Sequence, residues 1–194
     1  MAITTEQVKQ LREETGVSVM QCKKALEEAG GDPEKARVIL SKISKQQADK
    51  KSARSLGSGT IGAYVHGETG RVGAMVVLSC ETDFVAKNEE FQSVARDIAM
   101  HIAAMAPKYL RREDIPEEDM QKAREVFMEE VKDKPEDKQE MILKGKLDAY
   151  FGELILLEQK FIKDPTKTIL NLCEEAVQKF DENTTVTEFA RFSV

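Results

Sequence analysis

The chain has 194 residues, of which 33% are charged and 6% aromatic, with no Trp and a formal net charge of -6. That is room for one ordinary domain plus a small one, and a helix-favouring composition with a modest core. The acid excess argues against a nucleic-acid binder, which needs a clustered basic face, and suits a protein that docks on another protein.

Three cysteines, Cys22, Cys80 and Cys173, are odd in number and lack C-x-x-C spacing. Neither a disulfide framework nor a zinc site is indicated, and they read as small buried hydrophobes in a reducing compartment. The start, Met-Ala-Ile-Thr-Thr-Glu, has neither the basic nor the apolar region of a signal peptide, and no apolar run could span a bilayer. The expectation is a cytoplasmic protein, or one whose targeting segment has been removed. No nucleic-acid partner, membrane, metal or cofactor is expected.

In chain order, Thr4 with Gln7 makes a capping box for a first helix with Val8 and Leu11 inward, and Gly16 stops it. Ser18 caps a second helix, with Val17 and Cys22 placed as a hydrophobic staple and Ala25, Leu26 and Ala29 continuing its face. Asp32-Pro33 opens a third, burying Ala36, Ile39, Leu40 and Ile43. Residues 1–44 thus form a small three-helix bundle. Val19 and Met20 are either a docking surface or, for Met20, filler for a gap in a tiny core. Residues 45–58 are polar and basic and read as a linker, helical at first and flexible at its end. Gly57-Ser-Gly59-Thr-Ile-Gly62 formally matches G-x-G-x-x-G, but it follows a linker and opens a β-prone run, so the dinucleotide reading is rejected.

The runs 61–66 and 71–80 flank Gly67-Glu-Thr-Gly70 as a β-hairpin. Val72, Ala74, Val76 and Leu78 point one way and Met75 and Val77 the other, so both faces are apolar and both need cover. One face takes the helix that follows, carrying Phe91, Val94, Ala95, Ile98, Ile102 and Met105 at helical spacing. The other must meet more of the chain or a second copy. Between strand and helix, Cys80-Glu-Thr-Asp-Phe-Val-Ala-Lys-Asn88 sets Phe84 where polar turn residues belong. Phe84 either folds onto the core or is presented to a partner.

Pro107 ends the central helix. Residues 114–154 read as two antiparallel helices broken at Asp133-Lys-Pro135, with Met120, Ala123, Phe127 and Val131 on the first and Ile142, Leu147, Tyr150, Phe151 and Leu154 on the second. An extended stretch reaches Asp164-Pro165, and Thr168, Leu170, Leu172, Ala176, Val177 and Phe180 mark one more helix. The β-prone end, residues 184–194, pairs with the hairpin as a third strand, with Val186, Glu188 and Ala190 grouped on one side. The fold class is α+β: a helical bundle, a linker, and a core domain (59–194) with a small antiparallel sheet and an inserted helical hairpin. Cys80, His66, His101 and Asp83 include the residue types of a thiol hydrolase, but no local nucleophile signature accompanies them.

Leu11-Arg-Glu-Glu-Thr-Gly16, Cys22-Lys-Lys-Ala-Leu-Glu27, Arg71-Val-Gly73, Thr82-Asp-Phe-Val-Ala-Lys-Asn88, Gly152-Glu153, Glu158-Gln159 and Ala190-Arg-Phe192 together resemble bacterial elongation factor Ts, in order along the whole chain. The resemblance implies a ubiquitin-associated-like N-terminal domain and guanine nucleotide exchange on elongation factor Tu. It implies that Thr82, Asp83, Phe84 and Val85 approach the partner's magnesium and phosphate site, with Phe84 wedged between two helices. His101 matches a further contact, and the bundle, through Val19 and Met20, would dock on the same partner. Both motif-bearing signatures sit here on a single core repeat, which resembles the short, homodimeric form. Ala190 stands where some short forms carry a linking cysteine, so the expected dimer is non-covalent. The alternative is a protein-interaction adaptor without exchange activity that uses the three-helix bundle alone.

Overall fold

A computed structural model describes residues 3–194. Helices α1 (Thr5–Thr15), α2 (Val19–Glu28) and α3 (Pro33–Lys51) begin at the caps that the sequence offers: Thr4 with Gln7, Ser18, and Asp32. Gly16 ends α1 at φ 68°, a left-handed conformation in which glycine carries no Cβ penalty. Val8, Leu11, Val17, Cys22, Ala25, Leu26, Ala36 and Leu40 close a core of their own. The staple forms, and Cys22 Sγ also donates to the Val17 carbonyl at 3.6 Å.

The stretch expected as a linker continues α3 through Lys51. Its inward side has somewhere to go: Ser44 and Lys51 are buried, bonded to Gln178 and Asp181 of the core domain. Within residues 45–58, only 52–57 lie outside helix and strand.

Strands β1 (Ser58–His66) and β2 (Val72–Cys80) form the hairpin, and β5 (Thr185–Ser193) pairs antiparallel on the other side of β2, giving the order β1-β2-β5. A register shift between Val77 and Leu78 sets Glu188 opposite Val77 and Val186 opposite Leu78. One extra residue, Thr187, breaks the alternation there. Val186 is therefore buried while Glu188 and Ala190 are exposed, which corrects their grouping on one side.

Helix α5 (Glu89–Met105) covers the inner face, where Ala74, Val76 and Leu78 join Phe91, Ala95, Ile98, Ala99 and Ile102 in one core. Close approach depends on Gly62, where a Cβ would lie 2.3 Å from the Ala95 backbone. Among the described residues nothing covers the outer face: Ile61, Val65, Met75 and Phe192 are all exposed.

Helices α6 (Glu117–Val131) and α7 (Glu136–Gly152) make the inserted hairpin, with Phe127 edge-on to Tyr150 and Val131, Leu143 and Phe151 buried. Leu154 falls beyond α7 rather than within it; its carbonyl accepts from the Lys108 and Tyr109 N–H groups. A two-stranded turn, β3 (Lys160–Phe161) and β4 (Asp164–Thr168), leads into α8 (Ile169–Phe180). The α8 face buries Ile169, Cys173, Ala176 and Val177, leaves Leu170 exposed, and sets Phe180 edge-on to Phe91.

Candidate partner-docking site

Between β2 and α5 the chain makes a single helical turn, α4 (Asp83–Ala86). Thr82 Oγ1 accepts from the Val85 N–H at 3.5 Å, and Asn88 Oδ1 accepts from the Glu90 and Phe91 N–H groups to start α5. The Ser58 hydroxyl donates to Asp83 Oδ1 at 2.5 Å. Val85 and Ala86 are 5% and 7% exposed and belong to the core, whereas Phe84 is 85% exposed. Val85 thus anchors the turn from beneath, and Phe84 stands out from it. Of the two fates open to Phe84 in the sequence, the chain adopts the outward one.

The loop after α8 holds this turn from behind. Glu182 Oε2 accepts from the Glu81 and Thr82 N–H groups at 3.1 and 3.0 Å, and Oε1 accepts from the Thr82 hydroxyl at 2.6 Å. Glu81 in turn accepts from the Asn183 N–H at 2.6 Å and from Arg54 at 3.3 Å, and these bonds hold its carboxyl below the usual carboxylate range. Asn183 Nδ2 donates to the Arg54 carbonyl at 2.9 Å. Residues 181–183 therefore tie together the end of α3, residues 52–54 and the α4 turn.

His101 is not part of this turn. It is fully buried in α5; its Nδ1 accepts from the Ile162 N–H at 3.3 Å, so Nε2 carries the proton and donates to Gln159 at 3.0 Å. Burial lowers its pKa. His101, expected as a partner contact, is thus enclosed in the free chain, where it pins residues 159–162 to α5. Val19 and Met20 sit on the first turn of α2, 49% and 78% exposed, so Met20 fills no gap in the core. The thiol-hydrolase residues are occupied separately. Cys80 is buried, its thiol pushed up by desolvation, and donates to the Thr82 carbonyl; His66 pairs with Tyr64. Among the described residues, no His, Cys, Asp and Glu cluster could hold a metal ion, and no helix is long and apolar enough to cross a membrane.

The family model described as Elongation factor TS matches residues 3–194. The chain belongs to the elongation factor Ts family. It is 49% identical over 195 residues to the elongation factor Ts of Thermodesulfovibrio yellowstonii, covering 100% of this chain and 97% of that relative. The elongation factor Ts of Thermosipho melanesiensis is 47% identical over 194 residues, covering 99% and 98%. That of Carboxydothermus hydrogenoformans is 47% identical over 194 residues, covering 99% and 89%. The elongation factor Ts family is one of translation elongation factors, and the mixed helical and antiparallel fold is that of the family. Sequence reading missed Glu182. It lies 100 residues from Thr82 in the chain, in a polar run with no local pattern to single it out.

Proposed function

We propose that the chain is a guanine nucleotide exchange factor for elongation factor Tu. It binds the GDP-bound form, inserts Phe84 with Thr82 and Asp83 beside it, dislodges the partner's magnesium, and lets GDP leave so that GTP can enter. The observation that carries this reading is the 85% exposure of Phe84 on a turn fixed by Thr82, Asn88 and Glu182. A large apolar side chain displayed on a backbone turn that is already fixed requires only its own rotamer, not the turn, to be ordered on binding.

The energetics assign Phe84 a limited part. Factor and nucleotide weaken each other by the same ratio, and lowering a nanomolar nucleotide affinity to micromolar takes about 4 kcal/mol of coupling. Burying one Phe gives roughly 1.5–3 kcal/mol, some of it common to both states. Loss of the magnesium, which neutralises phosphate charge, supplies the remainder. Phe84 is the lever and the ion is what it moves.

Two surfaces complete the proposal. Val19 and Met20 dock the N-terminal bundle on the same partner, favoured by their exposure on a domain with a core of its own. The outer sheet face, with Ile61, Val65, Met75 and Phe192, pairs with a second copy in a non-covalent homodimer, since an apolar sheet face of this kind needs cover. The reading is tested by adding the chain to elongation factor Tu loaded with fluorescent GDP: accelerated release supports it, and an unchanged rate refutes it. Residues 1–44 alone separate exchange from the adaptor alternative. The adaptor requires that fragment to retain all binding, whereas exchange requires the core.

A further inference from the structure

Within the exchange reading, we propose that Glu182 is a positioning residue that sets the angle at which Phe84 is displayed. Its one carboxylate takes three donors from two successive residues, the Glu81 and Thr82 N–H groups and the Thr82 hydroxyl. Thr82 is also the residue whose Oγ1 caps the turn bearing Phe84. Glu182 therefore fixes the last peptide of the strand and the rotamer of the cap together, and the direction of Phe84 follows from both. Val85 and Ala86 anchor the far side of the same turn in the core. Phe84 itself touches no such support, being 85% exposed, so its aim depends on the backbone beneath it. A misplacement of a functional group by about an ångström is enough to slow the step it serves by an order of magnitude or more.

Geometry and charge make opposite demands here. In Glu182→Gln the amide oxygen still accepts from both N–H groups, and the amide nitrogen donates to Thr82 Oγ1, which retains a lone pair for the Val85 N–H. Glu182→Asp keeps the charge but is one methylene too short to reach all three donors. The test is stopped-flow release of fluorescent GDP from elongation factor Tu at saturating concentrations of each full-length variant, with thermal melts alongside. We expect Glu182→Gln to release GDP within about twofold of the parent and Glu182→Asp to be about tenfold slower at saturation. Glu182→Asp placed in a Phe84→Ala background should slow release no further, because the residue acts through Phe84. The reverse order, with Gln slow and Asp normal, overturns the proposal in favour of a direct charge contact with the partner. Equal loss in both backgrounds overturns it as well, and so does a parental rate in Glu182→Asp. A parental rate in Phe84→Ala alone refutes the exchange role of Phe84 instead, which separates the two failures.

Discussion

Lys51 Nζ donates to the Asp181 carbonyl at 2.6 Å and to the Asp181 carboxylate, joining the last turn of α3 to the loop after α8. The lysine side chain is 10% exposed and the aspartate side chain 88%. The carboxylate can therefore rehydrate when the lysine is removed, and the loss falls mainly on the bond to the carbonyl. Lys51→Met, which keeps the apolar stem, is expected to destabilise the protein by about 1–2 kcal/mol. Calorimetric melting checks this, and an unchanged midpoint would show that α3 is not held to the core through this bond.

Gly62 and Gly145 make opposite predictions for the same substitution. A Cβ at Gly62 meets the Ala95 backbone at 2.3 Å, so Gly62→Ala forces β1 and α5 apart and is expected to cost about 1–3 kcal/mol. Gly145 lies within α7 with nothing inside 4 Å of an added Cβ. Gly145→Ala is expected to stabilise by about 0.5–1 kcal/mol, because alanine has less backbone entropy to lose in a helix. Urea denaturation of the two variants reads both signs.

His101 makes the fold sensitive to mild acid. Its pKa is lowered from the ordinary 6.5 because burial penalises the cation. The unfolded chain therefore takes up the proton first. Stability is whole above about 6.5 and declines as pH falls from there toward the folded value. Glu14, Glu81 and Asp164 are also held low, but from ordinary values of 4.5, 4.5 and 3.8, so their contributions are lost only in stronger acid. Thermal melts at about pH 7 and about pH 5 should show a falling midpoint. A flat one contradicts the burial of a neutral His101.

The outer face of the sheet is centred on Met75, paired with Ala63 on β1 and Ala190 on β5. Met75→Glu puts a charge in the middle of the proposed interface without touching the inner core, so it should leave the fold intact and yield a monomer. Sedimentation of parent and variant at micromolar concentration tests this. A parental monomer rules out the dimer, for which a stable contact needs roughly 800 Å² from each copy.

Much of the fold was legible because its signals are local. The Thr4, Ser18 and Asp32 caps fixed the starts of the first three helices, and the switch of period around Phe84 located the turn that displays it. What failed to show lay in long-range packing. Residues 45–51 read as polar linker, yet Lys51 is buried on Asp181, a contact that composition alone does not reveal. Thr187 broke the alternation of β5 because a bulge needs no distinctive residue. His101 sat beside an apolar face in the sequence, and only Gln159 and Ile162 explain how a fully buried imidazole is satisfied there. The outward direction of Phe84 was open for a similar reason: a junction aromatic packs or projects according to what its neighbours fill, and here Val85 and Ala86 fill the space beneath.

The central claim is that Phe84, already exposed in the free chain, drives exchange. Stopped-flow release of fluorescent GDP from elongation factor Tu by the Phe84→Ala variant tests it most directly. The substitution removes a side chain that is 85% exposed, so melting should be unchanged. The account predicts release at saturating factor slowed by at least about tenfold, the equivalent of about 1.4 kcal/mol of lost coupling. Release at the parental rate, from a variant that melts at the parental temperature, would contradict it.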